Sequence, residues 1–72
     1  MKEQKVKKEG VVSEALPNTN FKVILNEDNK EVLAHLSGRM RLHYVRVLQG
    51  DKVIVEFGEY DMTKGRIIQR LK

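Results

Sequence analysis

The residues with the most capacity for chemistry in this 72-residue chain are arginines. Arg39, Arg41 and Arg46 fall between Val32 and Gly50, a stretch that also holds His35 and His43 and has no acid. From Met62 onward, Lys64, Arg66, Arg70 and Lys72 again meet no acid. Between these blocks, Asp51, Glu56, Glu59 and Asp61 stand against the single Lys52. Acid-free basic blocks separated by an acidic one predict a basic face rather than an evenly charged coat. The guanidinium is a planar fork that suits two-point contact with phosphate, so the chemistry implied is anion binding.

Catalytic and metal chemistry find little support. There is no cysteine, which removes thiol nucleophiles, disulfides and zinc ribbons. His35 and His43 lie eight residues apart, outside HxxxH or HExxH spacing, and no metal site is expected. Asn26-Glu27-Asp28-Asn29 lacks the glycine and later glutamate of a calcium loop, and the five glycines are scattered singly, with no phosphate-cradling loop. Ser13, Ser37 and Thr63 have no base and orienter arrayed with them. The chain reads as a non-enzymatic protein without a cofactor. No apolar run approaches the roughly 20 residues that span a bilayer, and the charged N-terminus leads into no apolar segment, so neither membrane nor export is expected.

The elements that must position the basic residues follow from periodicity. Residues 1–8 are lysine-rich and read as a flexible basic N-terminal arm, with one domain over 9–72. Val12 and Leu16 alternate with Ser13 and Ala15 as a strand, and Pro17-Asn18-Thr19-Asn20 is turn chemistry. Phe21, Val23 and Leu25 alternate in a second strand, which turns Lys22 outward. After the polar loop at Asn26 to Lys30, Val32, Ala34 and Leu36 make a third strand, which turns His35 outward. Ser37 is a candidate cap for a helix of one to three turns, with Met40, Tyr44 and Val47 on its apolar stripe and Arg39, His43 and Arg46 displaced around it. Val53, Val55 and Phe57 form a fourth strand. Gly58 to Thr63 read as a loop and Lys64 to Leu71 as a fifth strand, in which Arg66, Ile68 and Arg70 share one face.

Three strands, a short helix and two strands predict an all-β protein. The expected architecture is a five-stranded OB-fold barrel with the helix between strands 3 and 4, because closure hides the edges of short strands. An SH3-like barrel competes, and the position of the helix favours the OB-fold. OB-folds commonly bind nucleic acid across strands two and three and the adjoining loops. Phe21 and Phe57 fall on core faces, and Tyr44 on the helix stripe is expected to pack half-buried. Few aromatics are left for stacking. The expected ligand is therefore folded RNA contacted at its phosphates, and a single-stranded RNA chaperone of cold-shock type is the alternative. A protein-interaction module with a basic face is a third reading.

Four stretches carry a resemblance. Gly10-Val11-Val12-Ser13-Glu14-Ala15-Leu16-Pro17-Asn18-Thr19-Asn20-Phe21-Lys22-Val23 is similar to the opening of bacterial-type translation initiation factor one. Ala34-His35-Leu36-Ser37-Gly38-Arg39-Met40-Arg41 resembles that family's AHxSGKMR motif, with arginine in place of the usual lysine. Tyr44-Val45-Arg46-Val47-Leu48-Gln49-Gly50-Asp51-Lys52-Val53 resembles its YIRILxGDKV stretch, and Tyr60-Asp61-Met62-Thr63-Lys64-Gly65-Arg66-Ile67-Ile68 its YDLSKGRI ending. The resemblance covers nearly the whole chain. It implies an OB barrel that acts as a monomer at the decoding site of the small ribosomal subunit and blocks premature tRNA entry. Implied partners are the rRNA decoding-site helix, ribosomal protein S12, and initiation factors two and three. Pro17, Asn18 and Thr19 would enter the minor groove of that helix. Arg39, Arg41 and Arg46 would hold phosphates or displaced bases, Lys64, Arg66 and Arg70 would extend the surface, and Tyr44 would pack to position Arg41 and Arg46. The acidic loop at Asn26 to Glu31 should face away from RNA. A bacterial cytoplasm is the implied location, or the plastid stroma.

Overall fold

Alternation puts Val23, Val32, Val53 and Val55 on one side of their strands. In the computed structural model, which describes residues 5–58 and 61–71 (without the side chains of 61 and 62), that side is the inside of a closed barrel. The elements are β1 (Val6–Leu16), β2 (Asn20–Leu25), β3 (Glu31–Leu36), α1 (Gly38–Leu42), β4 (Lys52–Gly58) and β5 (Asp61–Leu71). Their order around the barrel is β1-β2-β3-β5-β4, closed by β4 on β1. Every pairing is antiparallel except that of β3 with β5.

Closure rests on β1, whose first half pairs with β4 and whose second half pairs with β2. Gly10 lies at the handover, opposite both Leu25 and Val53. A Cβ at Gly10 would stand 2.6 Å from Val23 Cγ1 and 2.7 Å from the Ile24 carbonyl oxygen, so no side chain fits where the strand coils. Because pairing begins at Val6, opposite Phe57, residues 6–8 are strand and the domain starts earlier than the sequence suggests. Lysines at 5, 7 and 8 gave that segment the look of a solvated arm, yet backbone pairing with β4 needs no apolar side chains. Residues 1–4 lie outside the described part.

Two bulges shift the alternation. In β1 the register slips between Val12 and Glu14. Leu16 therefore comes out opposite Asn20 on the outer face, not on the side of Val12. In β5 the register slips opposite the Ile54–Val55 step, so that Arg66 pairs with Glu56 while Arg70 pairs with the fully buried Val53. The extra residue, Ile68, puts Arg66 and Arg70 on opposite sides of the strand, contrary to unbroken alternation. β4 runs through Gly58 and β5 begins at Asp61, so residues 58 and 61–63 of the expected loop are strand, and residues 59–60 lie outside the described part.

The helix is a single turn and a little more. Ser37 caps it, its hydroxyl oxygen accepting from the Met40 N–H at 3.2 Å, and it ends at Leu42 with His43 as C-cap. Tyr44 then takes a left-handed conformation (φ 54°) and is 92 % exposed. The expected helical stripe through Tyr44 therefore does not exist. Met40 and Val47 both reach the core, but Val47 does so from the extended segment beyond the helix.

A candidate nucleic-acid interface at one end of the barrel

The basic residues gather because of where the strands end. β2 begins at Asn20, which pairs with His35 one residue before β3 ends at Leu36. The Pro17–Thr19 tip and α1 therefore lie at the same end, joined by the Leu36 N–H donating to the Thr19 carbonyl at 3.3 Å. β5 runs parallel to β3 and continues past it, from Ile67 beside Leu36 on to Leu71 beside the start of β4. Arg70 is thus carried to this end as well. Its Nη1 donates to the Arg46 carbonyl at 2.7 Å, tying the segment after α1 to β5. Arg39, His43 and Arg70 line one cleft with Met40, Val45 and Ile68. Arg41 and Arg46 are exposed close by in the chain, and neither makes an ion pair with a described carboxylate.

Acid collects at the other end. The loop with Glu27, Asp28 and Glu31 joins the opposite ends of β2 and β3. Its Glu27 is held by Lys8 at 2.7 Å, a hydrogen bond that raises the Lys8 pKa. The arginine-rich end and this acidic loop thus lie at opposite ends of the barrel, although Asp51 also stands near Arg70 at the start of β4.

A second group lies on the outer wall. His35, Lys64 and Arg66 line one hollow with Lys5 and Glu56, and His35 and Lys64 also border a neighbouring one with Leu16, Asn20 and Leu33. Lys5 was not among the candidates, since it falls in the presumed arm. Arg66 is partly neutralised here, with Nη2 at 2.6 Å from Glu56 Oε1. That bond lowers the Glu56 pKa against the opposing effect of burial, with Lys5 assisting at 3.7 Å. Lys22 points outward as expected, but it pairs with Glu14 at 3.4 Å.

The candidates thus fall into three places. Arg39, Arg41, Tyr44, Arg46 and Arg70 are at the basic end with the Pro17-Asn18-Thr19 tip, His35, Lys64 and Arg66 are on the wall, and Lys22 is in an ion pair. His43 joins the first group by lining its cleft, and adjacency to Arg39 through the helix turn was the available signal. Tyr44 does not pack: it projects. Among the described residues no three His, Cys, Asp or Glu side chains approach as metal ligands, and no helix is long and apolar enough to cross a membrane.

Asn18 (φ 62°) and Thr19 (φ 58°) are both left-handed, the backbone of a mirror-image type I hairpin turn. A β-branched threonine is poorly suited to that region, so the tip keeps a conformation that the side chain alone would not choose. The tip is exposed along residues 17–19.

Comparison with known proteins decides the family. The family model for Translation initiation factor 1A / IF-1 matches residues 1–72. The chain belongs to that family. It is similar to the solution structure of translation initiation factor one from the Wolbachia endosymbiont strain TRS of Brugia malayi. Identity is 41 % and the TM-score 0.78, over 94 % of this chain and 79 % of that one. The five-stranded barrel with its helix between β3 and β4 is accordingly the OB-fold of these initiation factors. It is also similar to YjeQ from Thermotoga maritima, at 25 % identity and a TM-score of 0.73. That match covers 93 % of this chain but 23 % of YjeQ, so the same barrel recurs as one part of a longer protein. Membership in this family gives the chain its general role, which is ribosome binding in translation initiation.

Proposed function

We propose that the protein binds the decoding site of the small ribosomal subunit during initiation, where it blocks premature tRNA entry and cooperates with initiation factors two and three. The observation that carries this reading is the gathering of Arg39, Arg41, Arg46 and Arg70 at one end, with the Pro17–Thr19 tip, opposite the acidic loop. The tip enters the minor groove of the decoding-site helix, Arg39, Arg41 and Arg46 hold phosphates or displaced bases, and ribosomal protein S12 borders the site. His35, Lys64 and Arg66 extend the contact along the wall, and Lys22 joins them once it leaves Glu14. The protein acts as a monomer in the cytoplasm, by occupancy and without bond chemistry.

The test is co-sedimentation of the protein with isolated small subunits at low and high salt, with a decoding-site tRNA ligand as competitor. Saturable binding near one copy per subunit, weakened by salt and displaced by the ligand, is the expected result. Absence of subunit binding with retained affinity for single-stranded RNA would replace this reading by the chaperone.

A further inference from the structure

The turn that ends α1 is built for glycine and carries a tyrosine. The Tyr44 N–H donates to the Arg41 carbonyl and the Val45 N–H to the Met40 carbonyl, at 3.1 and 3.0 Å, and Tyr44 itself has φ 54°. Val45 packs against the core that contains Met40. These two bonds, the left-handed residue and the apolar contact together make a Schellman motif, in which the left-handed position is ordinarily glycine or asparagine. A bulky side chain there strains the backbone, and at 92 % exposure the ring recovers nothing by packing. Folding alone therefore favours glycine at this position.

We infer that Tyr44 is a stacking platform, held out from the barrel by the Schellman turn to receive the face of a nucleobase. The inference rests on the ribosome-binding reading and deepens it. The ring stands in a run with Arg39, Arg41 and Arg46 and without acid from Val32 to Gly50. Phosphates held by those guanidiniums bring bases alongside, and an aromatic face takes any base. The Arg70 bond to the Arg46 carbonyl anchors the chain two residues beyond Tyr44, so the platform is fixed at both ends. Tyr44 is thus a base-contacting residue, where the resemblance implied a support that positions Arg41 and Arg46.

The experiment compares the full-length protein with Tyr44→Gly, Tyr44→Asn and Tyr44→Phe for equilibrium binding to small subunits across a salt series, with thermal melting alongside. Gly and Asn accept the left-handed turn, so both variants should melt no lower than the wild type. Both should bind about tenfold more weakly, with an unchanged salt slope because no phosphate contact is lost, and Phe should bind as the wild type does. By contrast, Arg41→Ala should reduce the slope by about one. A benzoylphenylalanine photo-crosslinker in place of Tyr44 should crosslink to rRNA. Wild-type affinity in Tyr44→Gly, weakened binding in Tyr44→Phe, or crosslinks to ribosomal protein alone would each overturn the platform while leaving subunit binding intact. Failure of the wild-type protein to bind subunits would instead overturn the ribosome reading, and the platform with it.

Discussion

The same residue type does different work at different positions of this surface. Arg66 gives one of its bonds to Glu56, Arg70 gives one to the Arg46 carbonyl, and Arg41 and Arg46 present their guanidiniums to solvent. An arginine already engaged within the fold gains less from a phosphate than one that is free, because an existing charge-assisted bond must first be exchanged. Arg46→Ala is therefore the informative substitution at this scale. It removes the guanidinium but keeps the carbonyl that Arg70 uses, so the loop remains tied down. Affinity for small subunits should fall by about 1–3 kcal/mol with little change in melting temperature. Lys30→Ala, beside the acidic loop at the far end, should leave affinity unchanged in the same titration. Equal losses in the two variants would mean that the protein attracts RNA through total charge and that its ends are equivalent.

At the scale of elements, β1 does more than its sequence advertises. Residues 6–8 supply the last rungs against β4, with Val6 opposite Phe57, Lys7 opposite Glu56 and Lys8 opposite Val55. Deleting residues 1–8 should lower stability by about 2–3 kcal/mol through lost backbone pairing, a fall in Tm on the order of 10 °C or more in a domain this small. Loss of a merely solvated arm would leave Tm where it was. The interior was legible in the sequence wherever alternation ran unbroken, as at Phe21, Val23, Leu25, Val53, Val55 and Phe57, all buried. Legibility failed where one inserted residue reversed the phase. The bulges after Val12 and at Ile68 displaced Leu16 and separated Arg66 from Arg70, and nothing in composition marks such an insertion. It failed again at Tyr44, where helical spacing ran on past Leu42 although the backbone had already turned. Of the candidate site, the arginine-rich end and the Pro17–Thr19 tip were readable, since turn residues and acid-free charge are local signals. The pairing of Lys22 with Glu14 and of Arg66 with Glu56 was not, because it depends on which strands become neighbours.

Over the whole molecule, the net charge of +4 understates the asymmetry, since carboxylates that hold lysines and arginines are part of the fold's balance. Glu56 shows how that balance responds to pH. Its side chain is only 13 % exposed, and its pKa is lowered in the folded state, chiefly by the Arg66 bond. A carboxyl with a lowered folded pKa binds its proton more readily when the chain is unfolded. Its contribution to stability is thus complete above the unfolded value of about 4.3 and fades as pH falls through the folded value. Arg66 is 43 % exposed, which limits the bond's worth to no more than about 1 kcal/mol. Glu56→Gln should accordingly melt slightly below the wild type at pH 7, and the gap should close as the solution is taken below pH ~4. Binding should move the other way. The substitution removes one negative charge from the wall and frees Arg66 beside His35 and Lys64, so at pH 7 the variant should hold small subunits more tightly and with a steeper salt dependence. Tighter binding together with lower stability would make Glu56 a restraint on the wall's affinity for RNA. Weaker binding would mean that Arg66 must be held by Glu56 in order to meet its phosphate, and that the wall works as a preset surface rather than as a reserve of charge.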